Sequence, residues 1–146
     1  MGFPNVQSIG VRLGGKLVFI QVPQPAAGNS WTYTQPDGYM LELLNVSYRI
    51  VTSAVVLNRL VALNLSYQSL TFWNQADNNP ITASQSIQVS FDPFVTSLSL
   101  NTSLRRIAMG AMMIPPGAIL QHAVSPVDAA DQLSAISITG FAWPLG

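Results

Sequence analysis

The stretch GYMLELLNVSYRIVTSAVVLNRLVALNL, Gly38 to Leu65, decides the fold class. Its first part, Met40 to Thr52, alternates: Val46, Tyr48 and Ile50 fall on one face, Ser47, Arg49 and Val51 on the other. Its second part sets Leu57, Arg59, Val61, Leu63 and Leu65 against Asn58, Leu60, Ala62 and Asn64. Strand side chains point to opposite faces in turn, so a period of two with β-branched and aromatic residues predicts two strands, not a helix. Thr52 and Ser53 suit the connection between them. Arg59 sits on an apolar face. It is expected either to lay its stem on a rim or to pair with Glu42 or Asp131 and hold two strands in register.

Working outward, Trp31–Thr34 (WTYT) leads into Gln35-Pro36-Asp37-Gly38. Proline presets φ there, aspartate can bond its own backbone and glycine takes positive φ, so WTYT and the Met40 strand are expected to form a hairpin. Upstream, Leu17–Val22 (LVFIQV) reads as a strand and residues 23–30 as a loop. Residues 1–16, rich in glycine, read as an extended arm that another surface must order. Downstream, Asn74 to Ser84 is a polar loop, and Ile87, Val89 and Phe91 share one face of Gln85–Phe91, which Asp92-Pro93 ends. Residues 94–103 read as a loop with a short strand. Leu104–Ile114 is one strand stopped by Pro115-Pro116-Gly117, Ala118–Val124 returns, and Gln132–Trp143 closes the domain as a long alternating strand. The helical competitor, Arg105–Met113, is opposed by Gly110 and the double proline. Turn signals at regular spacing predict an all-β, single-domain sandwich or jelly roll of about eight antiparallel strands over residues 30–146. Residues 1–29 precede it as arm, one strand and a Pro/Gly loop.

Composition narrows the function class. Of 146 residues, 49% are hydrophobic and 8% charged, with six basic and six acidic side chains; charged residues make up about a quarter of an average soluble domain. A neutral, charge-poor surface gives no electrostatic case for nucleic acid or an anionic membrane, and it favours association, so much of it is expected to be covered by partners. Without cysteine there are no disulfides or thiolate metal sites. No run approaches the roughly 18 apolar residues of a membrane span. Leu17–Ile20 is too short for a signal core, which points to synthesis in the cytoplasm.

Groups for chemistry are few. His122, the only histidine, lies mid-strand with no evident base partner and reads as a packed residue. Asp37, Asp77 and Asp92 fall in turns, and Asp128 and Asp131 lack the Asp-x-Asp-x-Asp-Gly loop of a calcium site. No catalytic, cofactor-binding or metal-binding residue is expected, and the chain is not expected to be an enzyme. Arg105-Arg106 is too small a doublet for nucleic acid and is expected to meet acidic groups of a partner. Most aromatics are expected in the core. Trp73, beside the Asn-rich loop, is the one expected at the surface.

Four stretches carry a resemblance: PAAGNSWTYTQPDGYMLELLNV (Pro25 to Val46), VTSAVVLNRLVAL (Val51 to Leu63), MIPPGAIL (Met113 to Leu120) and DAADQLSAISITGFAW (Asp128 to Trp143). In order and spacing they resemble small virion-associated proteins of tailed bacteriophages. One departure is Ala118, where the family pattern has a large aromatic. The resemblance implies a jelly-roll subunit on the outer capsid surface, a decoration or cement protein seated as a homotrimer on the major capsid protein. A tail, neck or fibre component with a receptor- or glycan-binding role is the alternative it leaves. Expected partner contacts are Phe3, Val6, Ile9 and Val11 of the arm, with Arg105, Arg106 and Trp73. The arm is expected to add a strand to a neighbour, so that removing residues 2–16 weakens capsid binding and leaves the domain folded.

Overall fold

In the computed structural model, residues 11–12, 14–93, 98–99, 103–125 and 127–146 are described, and among them there is no helix. The strands are β1 (Val11–Arg12), β2 (Gly15–Gln21), β3 (Thr32–Thr34), β4 (Tyr39–Val51), β5 (Leu60–Tyr67), β6 (Leu70–Ala76), β7 (Ser86–Pro93), β8 (Leu98–Ser99), β9 (Leu104–Met109), β10 (Met112–Ile114), β11 (Ile119–Ser125) and β12 (Gln132–Pro144). They form two sheets. One runs β1-β2-β12-β4-β7-β9-β8, with β10 also paired to β4; the other runs β3-β11-β5-β6. The sheets close on a shared core as a β-sandwich.

The alternation that predicted β4 and β5 is the alternation that fills this core. Val46, Tyr48 and Ile50 of β4 and Val61, Leu63 and Leu65 of β5 are all fully buried. Earlier in β4 the buried residues are Leu41 and Leu43, so the parity changes once. The ladder to β12 shifts register between Thr139 and Gly140, which pair with Asn45 and Leu43 and leave Leu44 as the extra residue of a bulge. Ile87, Val89 and Phe91 of β7, Ile107 and Met109 of β9, and Ile136 and Ile138 of β12 complete that side of the core.

Several expectations are corrected. β3 does not form a hairpin with β4; it pairs with β11 in the other sheet. The turn at Gln35 to Gly38 is a crossover, anchored by Gln35, whose N–H donates to Ala118 O at 2.9 Å and whose Nε2 donates to Tyr39 O at 3.0 Å. β4 and β5 likewise lie in different sheets, so residues 52–59 also cross. The antiparallel rule has one exception, since β7 and β9 are parallel. The strand expected from Leu104 to Ile114 is two strands. β9 follows β7, and β10 steps inward to pair with β4 at Leu41 to Leu43, beyond the segment Val46 to Val51 that β7 occupies. The described residues hold twelve strands against the expected eight or so, four of them only two or three residues long.

Gly140 marks the tightest strand contact. A Cβ there would overlap the Glu42 carbonyl oxygen and lie 2.7 Å from Leu41 Cδ1. Gly140→Ala is therefore expected to destabilise the domain by about 1–3 kcal/mol, the usual cost of overpacking. Urea denaturation of the variant against the parent checks this.

Candidate functional site

The four stretches that carry the resemblance meet in the structure. Gly28 N–H donates to Asp131 O at 2.8 Å, and Gln132 Nε2 donates to Pro25 O at 3.0 Å, joining the first stretch to the last. Gly117 N–H donates to Gln35 O at 2.9 Å, joining the first to the third. Arg59 joins the second to the last.

Arg59 is the centre of that knot. Its side chain has no exposure, and its Nε donates to Asp131 Oδ2 at 2.7 Å. Nη1 donates to the carbonyls of Val55 and Leu57, both at 3.2 Å, and Nη2 donates to Ser53 Oγ at 3.0 Å. The carboxylate is equally occupied: Ser53 N–H donates to Oδ1 at 2.8 Å and Asp128 N–H to Oδ2 at 3.0 Å. Burial alone would raise the Asp131 pKa. The Arg59 hydrogen bond, the two backbone N–H groups and the Arg59 charge outweigh it and hold the carboxyl below its ordinary value. Of the two partners expected for Arg59, the structure selects Asp131. The pair fixes the crossover from β4 to β5 against the lead-in to β12. Asp128 meanwhile accepts from Ala130 N–H at 3.0 Å, closing its own turn.

A buried aromatic group spans the two sheets. His122 of β11 stacks on Trp31 with centroids 6.1 Å apart and meets Tyr48 of β4 edge-on at 4.6 Å; Tyr48 also stacks with Phe91. Trp31 Nε1, Tyr48 OH and both His122 nitrogens have no hydrogen-bond partner among the described residues. Burial pushes the His122 pKa down to about 3, so the imidazole is neutral at pH 7. Burial and, secondarily, the Asp77 charge raise that of Tyr48. An unpaired neutral imidazole walled in by rings is a packing group, as its mid-strand position suggested.

The arginine doublet divides. Arg105 alternates with Ile107 and Met109 toward the other sheet. It donates from Nη1 to Asp77 Oδ2 at 2.9 Å and to Asn79 O, and from Nη2 to Pro80 O at 2.9 Å. With only 11% of its side chain exposed, it clamps β9 to the loop after β6. Arg106 points outward, 43% exposed, with Nε 3.3 Å from Asp92 Oδ2. It joins a polar net on the outer face of the larger sheet, in which Asn45 Nδ2 donates to Asp92 Oδ1 at 2.6 Å and to Ser90 Oγ at 2.8 Å.

Trp73 packs partly buried against the core. Its neighbour Phe72 is the exposed aromatic, at 56%, with Leu70 and Tyr67 also exposed on the same hairpin. A register shift between Leu65 and Ser66 makes Phe72 the extra residue of a bulge. Of the arm contacts, Phe3, Val6 and Ile9 lie outside the described residues. Val11 lies in β1, paired with Lys16 at the margin of the larger sheet.

Among the described residues no three histidine, aspartate, glutamate or cysteine side chains gather in a way that could hold a metal ion. The hollow beside Gln21 to Gln24, Ala135 and Ile136 contains no ionisable group. No protein-family model, curated protein or solved structure matches the chain.

Proposed function

We propose that this chain is a jelly-roll subunit of a bacteriophage virion, a decoration or cement protein that binds the outside of the major capsid lattice as a homotrimer and stabilises the head. The strand order supports the jelly roll. Leaving out the short β1, β8 and β10 and the parallel β9, the remaining eight strands form β2-β12-β4-β7 and β3-β11-β5-β6 and change sheet at every step along the chain except the β5–β6 hairpin, the order expected of a double Greek key. A fold does not fix a role. The observation that carries the role is that the four stretches resembling phage virion proteins are bonded to one another at the crossovers of this fold. The resemblance thus follows the framework of the domain. A charge-poor surface suits a subunit that is covered in its working state, and repeated seating on a lattice multiplies weak single contacts. The alternative, a tail, neck or fibre component that binds receptor or glycan, draws on exposed Phe72 and Tyr67.

The arm supplies the test. Gly15 packs under the Trp143 ring and Lys16 of β2 pairs with Ala142 of β12, so the deletion stops at residue 14 and takes from the larger sheet only the two-residue β1. Removing residues 2–14 is expected to leave the melting transition in place and to lower occupancy on expanded heads at least tenfold in a co-sedimentation assay. Full occupancy by the truncated chain would refute a role for the arm.

A further inference from the structure

The chain has twelve charged side chains, and none lies in β3, β5, β6 or β11. Seven belong to strands of the larger sheet: Arg12, Lys16, Glu42, Arg49, Asp92, Arg105 and Arg106. The other five lie in connections. The two outer faces of the sandwich therefore differ in kind. The larger sheet presents ions and a hydrogen-bonded polar net. The smaller presents short neutral side chains in cross-strand rows: Gln121 beside Asn64 beside Asn74, and Ala123 beside Ala62 beside Ala76. The inward residues Val61, Leu63, Leu65 and Leu120 are fully buried, which assigns these rows to the outside.

We propose that this uncharged outer face is where copies of the chain meet, an inference that rests on the self-associating virion subunit proposed above. Charge selects the occupant. Three such faces can meet around a three-fold axis, each touching both neighbours, without burying an ion, whereas any strongly charged partner would have to desolvate its ions with nothing to pair them. The alanine row Ala123, Ala62 and Ala76 lets neighbouring copies approach the sheet closely, and the Gln121, Asn64 and Asn74 row can hydrogen-bond across the contact. Four strands at about 4.8 Å and seven residues at about 3.3 Å give a plane of about 440 Å² in projection. The exposed Tyr67, Leu70 and Phe72 at the hairpin end extend it toward the roughly 800 Å² per partner of a stable interface.

The test is the solution mass of the full chain by light scattering at about 100 µM, with single charges placed on each face. The parent is expected to run as a closed oligomer. Ala62→Glu and Asn74→Lys, whose side chains leave the sheet outward, are expected to shift it to the mass of one chain while each variant still melts in a cooperative transition, now independent of concentration. Ser47→Glu, on the other face, is expected to leave the oligomer intact. A monomeric parent overturns the inference. So does an oligomer that survives both smaller-sheet substitutions, and in that case self-association stands and only its location is wrong. Binding of parent and variants to expanded heads reads the virion role separately, so the two failures are distinguishable.

Discussion

Replacing Asp131 by alanine is expected to destabilise the domain by about 3–5 kcal/mol, because it strands a buried guanidinium. Arg59 has no exposure and, among the described residues, its side chain reaches Asp131, Ser53 and two backbone carbonyls. Without the carboxylate its charge stays desolvated, and the N–H groups of Ser53 and Asp128 lose their acceptor as well. Asp131→Asn is expected to recover little, since its oxygen can replace Oδ2 but its NH2 group then faces the Ser53 N–H, and it supplies no charge. The double change Arg59→Met with Asp131→Leu is expected to cost much less than the two single losses added, because it removes both ions together. Chemical denaturation of the parent, Arg59→Met, Asp131→Leu and the double variant closes the cycle. A loss under 1 kcal/mol for Asp131→Ala would mean that the pair does not hold the crossover. Acid works in the same direction. The folded pKa of Asp131 is depressed, so its contribution is present above the unfolded carboxylate value and is lost as pH falls through the folded one.

The second large effect belongs to His122. Its pKa falls from 6.5 in the unfolded chain to about 3 in the fold, so between those values the unfolded chain binds a proton that the native state refuses. Stability is then complete above about pH 6.5 and declines as pH falls, by up to about 1.4 kcal/mol for each pH unit. His122→Phe is expected to abolish that limb. At pH 7 it is expected to change stability by less than about 1.5 kcal/mol, because neither ring nitrogen gives up a hydrogen bond within the described chain and the ring stack on Trp31 is kept. Melting of parent and variant from pH 7 to pH 4 checks this. Parallel curves would show that His122 is protonated, or hydrogen-bonded, in the native state.

Residues whose fate depends on strand period alone were legible in the sequence. Val46, Tyr48, Ile50, Val61, Leu63 and Leu65 face the core as their alternation requires. Arg59 keeps the same parity and so had to find a buried acid. Pairing between distant strands was not legible. The Gln35 to Gly38 signal marks a turn equally well whether it closes a hairpin or crosses between sheets. The crossover is decided by bonds to Gly117 and Ala118, some 80 residues away in a chain whose local pattern cannot encode them. The β5–β6 hairpin was hidden for another reason. It turns on Gln68 and Ser69, both at positive φ (48° and 67°), without the Asn-Gly or Asp-Gly pair that announces such a turn. The bulge beside Ser66 then exchanges the faces expected of Phe72 and Trp73. The arginine doublet was readable only in part. Alternation with Ile107 and Met109 turns Arg105 inward and leaves Arg106 outside, a distinction lost when the two are treated as one basic patch.

Electron cryo-microscopy of the particle that carries this chain tests the central claim most directly. The account predicts density for the sandwich on the outer shell of the mature, expanded head, repeated with the capsid lattice and grouped in threes. Density confined to the neck, tail or fibres, with a bare head surface, would contradict it.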